Sequence, residues 1–492
     1  MARWLIPLVL GGASATGFEP LGWWWMTLLC FAGLIALIER AATLPRALWS
    51  GWWFGLGHFT IGLNWIATAF YFQDAMPHWL GWIAVVLLSL YLAVYPAAAT
   101  GLAWRWGRPS LIPLSFIFAA AWLVTEWLRA TMFTGFAWNP LGVTIVGVAS
   151  IARWIGTYGL SAIVIISAGA VAAAGAGRWR QALALTLPAV ITLIVFAAAP
   201  RPPAAPKAPQ IHVVQPNINQ NEKQSEELAA RNMARLVRLT GPSPGRPRLI
   251  MWPEAAVPYY LEQEAWARSG LARLLRSGDL LLTGGDALVY DRDGNLMAAR
   301  NSLFALDASG RILARYDKSH LVPYGEYLPM RPLLSAIGLS RLVPGDLDFL
   351  PGPGPQSYAL PGFASAGIQI CYEIIFSGHV VDQSHRPDFL FNPSNDAWFG
   401  EWGPPQHLAQ ARLRAIEEGI PIIRSTPTGI SAVIGADGRV LGSIAWHHAG
   451  AIATPLPSPL PPTPFARLGN ILPFLFATAL TAIAIAVRRR SR

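Results

Sequence analysis

Apolar positions crowd into two parts of the chain, the first 200 residues and a stretch near the C-terminus. Between them, 207–455 mixes polar and apolar positions as an ordinary globular protein does. A run of about 20 apolar residues can cross a bilayer as a helix. Eight such runs are predicted, at about 4–18, 21–38, 48–72, 79–104, 111–132, 152–176, 181–199 and 467–487. The first is short, and Ala15–Pro20 turns the chain into the second. Seven spans in 1–200 would thus precede the soluble region, and an eighth, 467–487, would follow it.

The basic residues support this count. With Arg3 taken as cytoplasmic, the even-numbered crossings end at Arg40 and Arg46, at Arg105 and Arg108, at Arg178 and Arg180, and at the tail Arg488, Arg489, Arg490 and Arg492. The opposite loops, around 15–20, 73–78 and 133–151, carry almost none. Lys and Arg concentrate in cytoplasmic loops. The alternation predicts both termini inside and 200–466 on the outer side of the membrane. Trp23, Trp24, Trp25, Trp52, Trp53, Trp79, Trp82, Trp104 and Trp106 suit the interfacial belts. A cleaved signal peptide is the competing reading of the N-terminus, but aromatic apolar segments follow at once and no small-residue cleavage site stands out.

Within the soluble region the period changes. Short β-like runs are predicted at 211–214, 249–252, 280–283, 302–306, 366–370, 389–392, 422–425 and 431–434, with helices at 222–239, 261–277 and 405–419. Alternation of this kind predicts a layered α/β domain, with hairpin turns at Asp291–Gly294 and Asp307–Gly310. Pro-rich stretches at 200–210 and 455–465 frame it as stiff connections.

Composition adds three points. Of the residues 53% are hydrophobic and only 13% charged, against about 25% in soluble domains. The net charge of +10 lies largely in the arginine loops and the tail, where it suits anionic lipid; no aromatic-basic nucleic-acid motif accompanies it. The two cysteines, Cys30 in a span and Cys371 in the soluble region, predict no disulfide.

Three segments set a reactive side chain just after a β run, where layered α/β proteins present functional groups. They are Trp252-Pro253-Glu254, Tyr316-Asp317-Lys318 and Cys371-Tyr372-Glu373. A carboxylate at a strand end can serve as a general base, an ammonium can stabilise an oxyanion, and a thiol with a base beside it is a nucleophile. Taken singly, each has a commoner reading: a surface glutamate, a solvated lysine, a buried structural cysteine. No His/Cys clustering suggests a metal site, and no cofactor is expected.

In this order the segments resemble the nitrilase superfamily, across roughly 211–455. That resemblance implies an α-β-β-α sandwich with Glu254 as base, Lys318 as oxyanion group and Cys371 as nucleophile. Glu326 looks like the family's second glutamate. Arg412, Ala415–Gly419 and Thr428–Ser431 look like its later helix and strand. The full layout more specifically resembles the apolipoprotein N-acyltransferase family, a nitrilase domain set between seven apolar spans and an eighth. The local motifs are Gln215-Pro216-Asn217-Ile218, Trp252-Pro253-Glu254, Lys318 through Glu326, Cys371-Tyr372-Glu373 and Asn395-Asp396-Ala397-Trp398-Phe399-Gly400. The resemblance implies supporting roles for Tyr372, Glu373 and Trp398. One departure is a tryptophan that family members often carry on an arm after the Gln-Pro-Asn-Ile segment; Lys223 or a neighbour stands there.

The resemblance implies acyl transfer in two steps: from a phospholipid donor to Cys371 as a thioester, then to the α-amino group of the diacylglyceryl-cysteine of an apolipoprotein. Membrane lipids are the implied surroundings, and nucleic acid is not an expected partner. The alternatives are a membrane-anchored nitrilase-type amidase that uses water, and an inactive lipid-binding scaffold. Apolar loop segments Leu328–Leu342 and Phe349-Leu350 either dip into lipid or cover the core.

Overall fold

The computed structural model describes residues 2–72, 76–202, 208–242, 245–336, 342 and 348–490. Parts of the expected proline linker (203–207), of the loop 73–78 (73–75) and of Leu328–Leu342 (337–341), together with Arg492, lie outside the described residues.

The N-terminal 200 residues are helical. Among the described residues, five helices are long and apolar enough to cross a membrane: Leu80–Gly107, Leu111–Thr131, Leu141–Gly175, Trp179–Ala197 and Ile471–Arg490. The predicted first three runs form shorter or less apolar helices, Ala2–Ser14, Trp24–Arg40 and Leu44–Gly62. The run expected at 48–72 is not one rod. Its helix stops at Gly62, a turn follows, and the chain resumes as Ile66–Ala69 and Phe70–Phe72. The break lets Trp65 pack on Trp138 and Phe399, with ring centroids 4.5 and 4.7 Å away. Pro96, which has no N–H to give the preceding turn, sits where Leu80–Leu92 gives way to Val94–Gly107. Part of the loop expected at 133–151 is a 3-10 helix, Leu141–Ile151.

Ionisable groups inside the bundle are paired, as burial in a membrane requires. Glu126 accepts from Leu141 N (2.8 Å), Trp122 Nε1 (3.2 Å) and Ser161 Oγ (2.6 Å). Arg129 donates to Trp138 O at 2.8 Å. By contrast Leu183, Leu187 and Ile194 turn apolar side chains outward from Trp179–Ala197, as a lipid-facing helix does.

The region after the linker contains two six-stranded sheets. The strands are β1 (Gln210–Gln215), β2 (Arg248–Met251), β3 (Leu280–Tyr290), β4 (Leu296–Asp307), β5 (Ile312–Asp317), β6 (Ser357–Ala359), β7 (Ser365–Ile368), β8 (Phe389–Pro393), β9 (Ile422–Ser425), β10 (Ser431–Ile434), β11 (Val440–Ile444) and β12 (Gly450–Pro455). One sheet runs β12-β1-β2-β3-β4-β5, the other β11-β10-β9-β8-β7-β6. The central neighbours β1–β2–β3 and β7–β8–β9 are parallel, and the rest antiparallel.

Side-chain alternation sets the layers. Ile211, Val213, Leu249, Met251, Leu280 and Leu282 point inward with Ile368, Phe391 and Ile423 into one core. Val214, Ile250, Leu281 and Phe304 point the other way, onto Leu236 of helix Glu226–Thr240 and Leu271 of helix Ala265–Ala272. On the far side, Ala409, Leu413 and Ile416 of helix Gly403–Glu418 bury against Phe18, Val143, Leu160 and Ile163 of the bundle. That helix therefore joins the soluble region to the membrane part. Thr157 N and Oγ1 donate to Glu417 Oε1 at 2.6 and 2.7 Å across the same seam.

The expected hairpins form: Asp291 N donates to Asn295 O, and Asp307 N to Arg311 O. Strands β5, β6, β11 and β12 are additional to those the sequence predicts. Much of β11 and β12 is exposed, so their apolar signal is weak. The helix expected at 261–277 shrinks to Ala265–Ala272, and that expected at 222–239 divides at Ser225 into Gln220–Gln224 and Glu226–Thr240.

Candidate active site

Three strand ends deliver the three singled-out side chains to one place. Glu254 follows β2, Lys318 follows β5, and Cys371 follows β7. Glu254 is 6% exposed, Lys318 2% and Cys371 4%, values that leave no bulk water to solvate their charges. Close backbone approach fixes the first turn. Gly284 N donates to Pro253 O, and Val257 N to Gly284 O. A Cβ on Gly284 would lie 2.3 Å from Ala255 N and 2.8 Å from Glu254 Cα, so a side chain there would push Glu254 out of place.

The Lys318 ammonium donates to Glu326 Oε1 at 2.8 Å and to Glu254 Oε1 at 3.4 Å. Asn301 Nδ2 bridges Glu254 and Glu326 at 2.7 and 3.1 Å. Val322 N holds the other Glu326 oxygen at 2.8 Å. Among the described residues Glu254 Oε2 is buried without a partner, and Glu254 lines a cavity of about 310 Å³. A carboxylate pinned at one oxygen and bare at the other can take a proton from whatever enters. Burial opposes the charge on Lys318, but Glu326 and Glu254 outweigh it and raise its pKa, so the lysine is a fixed cation.

Cys371 opens the turn Cys371–Ile375. Burial pushes its thiol well above the usual range, the Glu254 carboxylate adds to this, and Lys318 only partly offsets it. Burial thus favours the neutral thiol, and the Glu254 carboxylate is near enough to act on it electrostatically. A hydrogen bond from the Asn395 backbone favours its charged form. The Lys318 ammonium is a donor of the kind that can stabilise an oxyanion.

The remaining expected residues divide into two groups. Glu326 and Trp398 line the cavity; the Trp398 ring meets Phe72 edge-on with centroids 5.6 Å apart. Glu373 instead sits behind the thiol. Its carboxylate accepts from Tyr316 OH (2.8 Å), Ser319 N (2.7 Å), Ser319 Oγ (2.6 Å), His320 N (3.1 Å) and Ile370 N (2.6 Å). It thereby ties the segment after Lys318 to the segment that carries Cys371. Tyr372 packs on His320 and Phe376, and its hydroxyl donates to Gly135 O of the membrane part at 3.5 Å.

Sequence reasoning missed Asn301 and Asp286 and left Lys223 without a role. Lys223 Nζ donates to Glu254 O at 3.0 Å and lines the cavity with Asp286. Burial pushes the Asp286 carboxyl up to about 6, with Lys223 opposing the rise. Nothing adjacent in sequence marks Asp286 or Asn301; they are brought opposite each other by the register of β3 and β4. Among the described residues no group of three His, Cys, Asp or Glu side chains is arranged to hold a metal.

Comparison with known proteins agrees with this architecture. The apolipoprotein N-acyltransferase N-terminal domain matches residues 10–170, and the carbon-nitrogen hydrolase domain matches 210–458. An apolipoprotein N-acyltransferase of Rhodopseudomonas palustris is 34% identical over 99% of this chain and 95% of its own. One of Bradyrhizobium diazoefficiens is 35% identical over the same shares, and one of Caulobacter vibrioides 35% identical over 95% of this chain and 91% of its own. With a nitrilase-type domain joined to a helical, apolar N-terminal part and near full-length identity of this order, the chain belongs to the apolipoprotein N-acyltransferase family.

Proposed function

We propose that this acyltransferase moves an acyl chain from a phospholipid, through a thioester on Cys371, to the α-amino group of the diacylglyceryl-cysteine of an apolipoprotein. The observation that carries this reading is the buried Glu254–Lys318–Cys371 group, in which Glu254 keeps one free carboxylate oxygen and lines the cavity, in a domain packed on an apolar helical bundle.

In the first step Glu254 accepts the Cys371 proton as sulfur attacks the ester carbonyl. Lys318, with backbone amides, holds the oxyanion. The carbon–oxygen bond breaks, the leaving alkoxide takes the proton from Glu254, and a lysophospholipid departs. In the second step Glu254 removes a proton from the incoming ammonium. Its nitrogen attacks the thioester, the new carbon–nitrogen bond displaces sulfur, and Cys371 regains a proton. No net oxidation occurs. Lys223 and Asp286 line the same cavity as Glu254.

The bundle gives the chemistry its place. Extracting an acyl chain from a bilayer costs about 0.8 kcal/mol per CH₂, so a site anchored at the interface works where both lipids already are. Helix Arg331–Ala336 buries none of its residues, and Met330 and Leu333 are exposed, which supports the lipid-dipping reading of that loop. The full layout proposed is a bundle in 1–200, a catalytic domain in 207–455 and an anchor in 467–487, with eight crossings of a bacterial inner membrane. The catalytic domain then faces the periplasm and both termini the cytoplasm.

Incubating the purified protein with phospholipid carrying a labelled acyl chain and a diacylglyceryl-cysteine peptide tests the function. Label is expected in amide linkage to the peptide, with lysophospholipid formed in equal amount. Release of free fatty acid without peptide acylation would favour the hydrolytic alternative, and no turnover the scaffold.

The orientation has its own test. Ala234 is exposed on helix Glu226–Thr240, whereas both native cysteines are buried. Ala234→Cys should react with a membrane-impermeant thiol reagent in intact spheroplasts. Labelling only after lysis would place the domain on the other side.

A further inference from the structure

The backbone of Cys371 is left-handed, with φ at +52°. A non-glycine residue stays in that region only where its surroundings hold it. Two side chains reach its carbonyl: His407 Nε2 at 3.1 Å and Asn392 Nδ2, which donates at 3.3 Å. Both are backed by one guanidinium. Arg424 donates to Asn392 Oδ1 at 2.5 Å and to Asp396 Oδ1 and Oδ2 at 2.7 and 2.5 Å. Its Nη2 is also 2.9 Å from His407 Nδ1, as is Asp396 Oδ1. His407, Asp396, Asn392 and Arg424 are at most 1% exposed.

We infer that His407, Asn392, Asp396 and Arg424 are positioning residues that clamp the Cys371 carbonyl and so aim its thiol at Glu254 and the cavity. The carbonyl at His407 Nε2 requires a proton on that nitrogen. A guanidinium only donates and an ionised carboxylate only accepts, so Arg424 and Asp396 oppose each other at Nδ1. Burial and Arg424 hold the His407 pKa below its usual value, against Asp396, which favours the neutral ring. The clamp thus supplies a donor to the nucleophile's peptide without adding a second cation that would compete with Lys318 for Glu254. Asp396 gives Arg424 the counter-charge that its burial requires.

The ring is also held from the membrane side. Trp138 lies 5.2 Å from it, and Trp138 Nε1 donates at 2.8 Å to Gln406, its neighbour on helix Gly403–Glu418. The nucleophile's orientation is therefore fastened to the bundle as well as to its own sheet.

This inference rests on Cys371 being the nucleophile of the proposed function. Its test uses full-length protein in detergent and reads two rates at Cys371 by mass spectrometry: alkylation by chloroacetamide, and thioester formation with phospholipid. His407→Asn withdraws the donor from the carbonyl. Both rates should fall about 10²-fold, the usual cost of a misplacement near 1 Å, while the KM for phospholipid holds. His407→Gln, whose amide nitrogen reaches the Nε2 position, should recover most of the loss. A fully reactive His407→Asn, or His407→Gln as slow as His407→Asn, would overturn the clamp. Asn392→Asp keeps the volume and the Arg424 contact but sets an acceptor against the carbonyl. It should slow alkylation even if His407→Asn does not fold, and an unchanged rate there also overturns the proposal. Wild-type protein that alkylates but never forms a thioester would sink the acyl-transfer reading, and the alkylation rates would still decide the clamp.

Discussion

Cys371→Ser is expected to abolish acyl transfer, with a loss on the order of 10⁶-fold, the scale seen when a nucleophile is removed from a covalent enzyme. The reason lies in the site rather than in the residue alone. The thiol is already held above its usual pKa by burial and by Glu254, and a hydroxyl starts from a far less acidic position. One carboxylate that can raise a thiolate during attack is too weak a base to do the same for an alkoxide. The fold should survive, because serine is close in size and can occupy the same left-handed backbone at similar cost. After mixing with phospholipid, mass spectrometry should find the acyl adduct on wild-type Cys371 and none on the serine of the variant. Near-normal transfer by Cys371→Ser would refute the thioester route.

Glu254→Gln carries the second largest effect. The amide keeps the size and can still accept from Asn301 and Lys318 through its oxygen. It places an NH₂ where the bare Oε2 stood, so it cannot take a proton. Thioester formation should slow by about 10²–10⁴-fold, the range for a lost general base. The second step gives a sharper reading. Enzyme acylated at Cys371 before the acceptor is added should pass its acyl group to the peptide equally slowly in Glu254→Gln, because the same carboxylate is asked to deprotonate the ammonium. Transfer at the wild-type rate from acylated Glu254→Gln would assign the second base elsewhere. Asp286 would be the first group to examine, since it shares the cavity and titrates near neutrality, at about 6.

Several parts of this molecule can be read along the chain because their physics is local. Membrane helices announce themselves by long apolar runs, and Leu111–Thr131, Trp179–Ala197 and Ile471–Arg490 were legible for that reason. The break after Gly62 was not, since it depends on Trp65 finding Trp138 and Phe399, residues far along the chain. The buried strands β1, β2, β8 and β9 show as compact apolar runs because both their faces are covered. Strands β11 and β12 carry too many exposed positions to stand out.

The candidate site divides in the same way. Glu254, Lys318 and Cys371 stood out as candidates because each follows a β run and their motifs, in this order, resemble those of the nitrilase superfamily. Glu373 was legible as a supporting residue, yet what it supports emerges only in three dimensions. Its five donors come from 316–320 and from Ile370, segments about fifty residues apart. His407 and Arg424 lie on a helix and a strand that read as ordinary scaffold.

What the sequence offered by itself was the two-part plan, apolar bundle and α/β domain, and three candidate reactive groups. These follow from hydrophobic period and motif order, which are properties of neighbours in the chain. Only the tertiary structure decided which carboxylate oxygen is free, what Lys223 and Asp286 face, and what holds the Cys371 peptide. Those depend on strand register and on buried polar groups needing partners, and in a dry interior the partner is whichever donor or acceptor the fold brings within about 3 Å, at any distance along the chain.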